Sequence, residues 1–85
     1  MEASKVIRLC DLKVGQQGRV QSLHNEGAMR RRLLDIGLTP GTVTACVGRS
    51  PGGDPAAYRI RGAVIAIRDR DAADVTVEVD TYGAD

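Results

Sequence analysis

A small antiparallel β-barrel, closed or nearly closed, with one short helix inserted among its strands is the mainly β fold this sequence predicts. Three observations carry that prediction: four or five short segments alternate apolar and polar residues, turn signals separate them at close spacing, and one stretch, Met29 to Ile36, switches to helical periodicity. The 85 residues fit a single domain, 1–85, with an ordered core over about 7–79 and a frayed tail at 80–85. With no Phe or Trp and only Tyr58 and Tyr82 as aromatics, the core has to be aliphatic.

The elements follow in order. Val6 to Leu12 is a short apolar/polar segment, and "KVGQQGRV" turns through Gly15 and Gly18 into a strand near Arg19 to His24. Asn25 is the expected helix cap, and Glu26 suits the positive end of the helix dipole. Met29, Leu33 and Ile36 recur at i, i+4 and i+7, and Leu34 widens the stripe. Gly37 ends the helix in a left-handed conformation, which sets Leu38 against Leu33 in a Schellman closure. Thr39-Pro40-Gly41-Thr42 then has proline and glycine where a type II turn wants them.

The following strand, "TVTACVGRS", puts Val43, Ala45 and Val47 on one face and Thr42, Thr44 and Cys46 on the other. After the loop "SPGGDP", "AYRIR" points Tyr58 and Ile60 inward and Arg59 and Arg61 outward. Gly62 reverses the chain into the more fully apolar strand "AVIAIR". "DRDAAD" is at most a polar helical turn, and "VTVEV" puts Val75, Val77 and Val79 inside. Gly37, Pro40, Gly41 and Gly62 are therefore the expected structural turns.

Several function classes lose their basis. Twelve basic against eleven acidic residues, a net charge of +1, give little of the footprint that nucleic-acid binding requires. Small barrels that grip single strands or proline-rich peptides use aromatic platforms, and two tyrosines do not make one. No Gly-rich loop ends in Lys-Ser/Thr, and "GRSPGG" reads as a hairpin turn. His24, Cys10 and Cys46 are the only soft or borderline metal ligands and none is paired at ligand spacing, while Asp69, Asp71 and Asp74 lack a calcium-loop pattern. No catalytic, cofactor or metal site is expected. The two cysteines read as reduced thiols, and the lack of a signal segment or long apolar run leads us to expect a soluble intracellular chain.

What is left over is a cationic cluster. Arg30, Arg31 and Arg32 lie beside the apolar stripe, near the expected start of the helix, where they oppose its dipole; Asp35 stands four residues after Arg31. Either the triplet is a solvated face whose stems cover apolar neighbours, or it is a site.

"MRRRLLDIGLTPGTVT", followed by "GDP", "YRIRG" and "IAIR" in that order, resembles the FeoA family, small cytosolic accessory proteins of bacterial ferrous iron uptake. The resemblance runs from about Leu9 to Glu78, and it implies an SH3-like barrel with the helix inserted between early strands. It also implies a non-enzymatic, cytoplasmic adaptor that binds and regulates the large ferrous iron permease with its own G domain, recruited by it to the inner face of the membrane. On that reading Arg30, Arg31 and Arg32 contact acidic groups of the permease, Asp35 orients them, and Asp54 of "GDP" forms a rim. Ala56, Ala57 and Ala63 stand where the family often carries larger residues, which implies a shallower core or groove. A weak homo-oligomer is left open. The alternatives are a nucleic-acid or ribosome-associated module using the same triplet with Arg59 and Arg61 on phosphates, and a ferrous chaperone with its own site.

Overall fold

The computed structural model describes residues 4–80. Six strands form one antiparallel sheet: β1 (Ser4–Arg8), β2 (Gln17–Leu23), β3 (Val43–Arg49), β4 (Ala56–Ile60), β5 (Ala63–Ile67) and β6 (Val75–Asp80), in the order β1-β6-β2-β3-β4-β5. Helix α1 (Gly27–Asp35) connects β2 to β3, a 3-10 turn (Leu9–Asp11) follows β1, and the one-turn helix α2 (Asp69–Ala72) joins β5 to β6. Register shifts between Val20 and Ser22 in β2 and between Cys46 and Gly48 in β3 supply the local bend that wraps a sheet around its own core. Of the expected tail, Asp80 ends β6; 81–85 lie outside the described residues.

The core is aliphatic, as the composition requires. Leu9, Leu12, Val20, Leu33, Leu38, Ile60, Val75, Val77 and Val79 surround the fully buried Tyr58, whose hydroxyl donates to the Leu9 carbonyl at 3.4 Å. The register decides which face of β3 goes inward. Thr44 lies opposite Ile60 and Cys46 opposite Tyr58, so these two point into the barrel while Val43 is exposed. Burying Thr44 costs little because its hydroxyl donates to the Arg59 carbonyl at 2.9 Å.

The expected helix cap changes. Asn25 does not cap α1: Glu26 holds the cap position without a side-chain hydrogen bond, and the buried Asn25 instead donates through Nδ2 to the Asp71 carbonyl at 2.9 Å. A partner 46 residues away, brought in by the fold, outcompetes the local cap. The uniformly apolar β5 ends the sheet: Ile67 is buried, but Ala63, Val64 and Ala66 are exposed, because only β4 pairs with it among the described residues.

Candidate partner-binding site

The orientation of α1 is fixed at its C-terminal end. Gly37 adopts φ +105°, its N–H donates to Leu34 O at 3.0 Å and that of Leu38 to Leu33 O at 3.0 Å, which is the Schellman pattern, with Leu33 and Leu38 both buried. The type II turn follows, with Gly41 at φ +94° and the Thr42 N–H donating to Thr39 O at 3.0 Å. Arg61 and Gly62, both at positive φ, make the tight β4–β5 hairpin turn, and the Arg61 side chain lies across Gly37 with Nε donating to its carbonyl at 3.4 Å. A cation is thereby placed against the negative end of the α1 dipole.

The three arginines of α1 point to different surroundings. They occupy its middle and last turn rather than its start, so the expected opposition to the dipole does not arise for Arg32, a base in the last turn. Arg30 braces the helix to β2, its guanidinium donating to Leu23 O at 2.7 Å. Arg31 is exposed, and the pair expected between it and Asp35 does not form: among the described residues the ion pairs are Arg8–Asp11 and Arg49–Asp69. Arg32 borders a groove of about 390 Å³. One wall is Met29 and Leu33 of α1 with Ile36 at its C-terminal cap; the other is β5, with Arg68, Arg70 and Asp71 at the end where α2 begins.

Helix α2 is held from three directions. Asp54 accepts the Asp69 N–H at 3.0 Å, Arg49 pairs with Asp69 at 3.6 Å, and Asn25 bonds the Asp71 carbonyl. Asp54 thus acts on the groove indirectly, by fixing the turn that carries Arg68 and Arg70, while its neighbour Pro55 lines the groove. Arg68 and Arg70 belong to this surface, and the sequence reading, which took "DRDAAD" as a polar helical turn, did not place them there, because chain order does not show which charges face α1.

The possible metal ligands stay dispersed. Cys46 is buried, the His24 ring bonds the Ser22 hydroxyl at 3.0 Å, and burial, then the Asp11 carboxylate, pushes the Cys10 thiol up. Among the described residues no three His, Cys, Asp or Glu side chains gather into a possible ion site. No described helix is long and apolar enough to cross a membrane.

Comparison with known proteins gives a consistent family. The FeoA domain model matches residues 7–79. A Porphyromonas gingivalis protein named Fe(2+) transport protein A/Fe(2+) transporter FeoB fusion protein is 33% identical over 73 residues, covering 86% of this chain and 9% of the fusion. The solution structure of the Chlorobium tepidum FeoA protein superposes with a TM-score of 0.82 at 34% identity, over 86% of this chain and 70% of that one. Stenotrophomonas maltophilia FeoA, determined with zinc and described as a prokaryotic SH3 domain protein, gives 0.72 at 29% identity over 84% and 88%. The barrel expected from the sequence is therefore of the SH3-like kind.

Proposed function

This chain belongs to the FeoA family, and from that premise we propose that it is a non-enzymatic adaptor of ferrous iron uptake, acting by contact with the cytosolic part of the ferrous iron permease. The observation that carries the reading is the Porphyromonas gingivalis relative, in which a segment similar to this chain and a FeoB transporter are one polypeptide. Covalent fusion holds two modules at high effective concentration, an arrangement suited to parts that work in contact. The chain itself spans only 9% of that relative. The adaptor works in the cytoplasm, recruited to the membrane by its partner.

The contact surface we propose is the outer side of α1. Arg31 and Arg32 meet acidic groups of the permease, Arg30 holds the helix to β2 through Leu23, and Asp54 holds the neighbouring α2 turn. Arginine suits this task because its planar fork pairs bidentately with carboxylates. The test is a pull-down of detergent-solubilised permease with the parent chain and with Arg31→Glu/Arg32→Glu, beside ferrous uptake in cells. The double variant should keep the parent's circular dichroism, lose capture and lower uptake, with the parent's capture strongest at low salt. Full uptake by cells carrying the folded double variant would reduce the triplet to a solvated face.

A further inference from the structure

The two ends of the sheet are protected differently. β1, at one end, carries Lys5 and Arg8, the kind of charge that keeps an open edge from pairing with other chains. β5, at the other, reads Ala-Val-Ile-Ala-Ile, with no charge, no proline and no register shift against β4, and Val64 is 58% exposed. Such an edge is an aggregation hazard unless it has a use.

Its hydrogen-bonding direction follows from the hairpin. The two-residue turn Arg61-Gly62 makes Ile60 and Ala63 the first bonded pair, so Ala63, Ile65 and Ile67 direct their N–H and C=O groups to β4. Val64 and Ala66 direct theirs outward, and among the described residues no turn or loop backbone bonds to either. The groove lies on this same side, with Met29 and Ile36 across from Ile65, and Arg32, Arg68 and Arg70 against the single acid Asp71. The lining is mixed, an apolar floor from α1, Pro55 and β5 with charged side chains beside it, and it carries two formal positive charges in excess on a chain whose total is +1.

We infer that the β5 edge and the α1 groove together take up an extended segment of the partner, rich in alternating apolar and acidic side chains, as an added seventh strand. This rests on the adaptor reading above and names the chemistry of what is bound. Main-chain bonds to Val64 and Ala66 hold the segment, the apolar side chains of one face enter between Ile65 and Met29, and the carboxylates of the alternate face meet the long, exposed side chains of Arg32, Arg68 and Arg70 at the groove's rim. A second copy of this chain fits the site less well, because the strand it would offer, Ala-Val-Ile-Ala-Ile, carries no carboxylate for the three arginines.

The test uses the full chain and a synthetic peptide of alternating glutamate and valine, with a lysine/valine peptide as control. The acidic peptide should bind, more weakly as salt rises, and slow amide exchange at Val64 and Ala66. Val64→Pro removes an outward N–H without removing a bond to β4, and should weaken binding about tenfold, the loss of roughly one main-chain hydrogen bond. Ala66→Pro is the second variant should the first disturb the hairpin, and circular dichroism checks both. Equal affinity for the lysine peptide, unprotected Val64 and Ala66 amides in the complex, or full affinity in a folded proline variant would overturn the inference. So would a dimer in sedimentation with those amides already protected, since a second copy would then be the occupant. Permease capture by a folded Val64→Pro chain at parental strength would overturn strand addition while leaving the adaptor reading intact; failure of the parent to capture permease at all would count against both.

Discussion

Replacing Gly37 by alanine should destabilise the fold through two effects that can be separated. The first is the backbone: φ is +105°, a region L-residues rarely adopt, at a cost of about 1–3 kcal/mol. The second is contact: a Cβ at this position would stand 2.5 Å from Cδ and 2.8 Å from Nε of Arg61. Arg61 is long and can swing away, giving up only its 3.4 Å bond to the Gly37 carbonyl, a loss of under about 1 kcal/mol. Together these give about 1–4 kcal/mol, at roughly 4–8 °C in melting temperature per kcal/mol for a domain this small. Urea melts of Gly37→Ala, Arg61→Ala and the double variant form a cycle. The single glycine variant should carry the full loss, and in the Arg61→Ala background only the backbone part should persist. A Gly37→Ala melt that overlays the parent would refute the Schellman argument; a penalty that vanishes entirely without the Arg61 side chain would refute the backbone share.

Arg49 donates to the carbonyls of Cys10 at 2.8 Å, Leu12 at 3.0 Å and Gly53 at 3.2 Å, with its side chain 27% exposed. Lysine keeps the charge without the fork, so Arg49→Lys should cost about 1–2 kcal/mol in urea, and a parental midpoint would show the fork to be dispensable. Burial, then the neighbouring Cys46, pushes the Tyr58 phenol well above its ordinary value. Because the folded state holds that proton longer than the unfolded chain, this stabilisation is complete below about pH 10 and is lost as pH rises beyond it. In a Tyr82→Phe background, tyrosinate absorbance should therefore rise together with unfolding, and a phenol titrating near 10 in folded protein would contradict its burial. Anaerobic calorimetric titration with ferrous ion should show no stoichiometric micromolar site; one abolished by changing His24, Cys10 or Cys46 would mean the ligands gather in a way the fold does not show.

By itself the sequence determined the elements whose causes are local. Gly37 and Gly41 had to take positive φ because a Schellman closure and a type II turn each need it, and the positions of Leu33, Leu38, Pro40 and Thr42 leave few other arrangements. Alternation was enough to place Tyr58, Ile60, Val75, Val77 and Val79 inside. Only the tertiary structure decided what depends on pairing. Thr44 and Cys46 face the core because β4 offers Ile60 and Tyr58 opposite them, a choice that alternation alone leaves undetermined. Asn25 leaves the helix it was suited to cap because Asp71 arrives from the far end of the chain, and Arg30 is held by Leu23 while Arg32 joins Arg68 and Arg70 across a groove. Charges 36 residues apart come together only when β5 becomes the last strand beside α1, and strand order is a property of the folded sheet rather than of any segment within it.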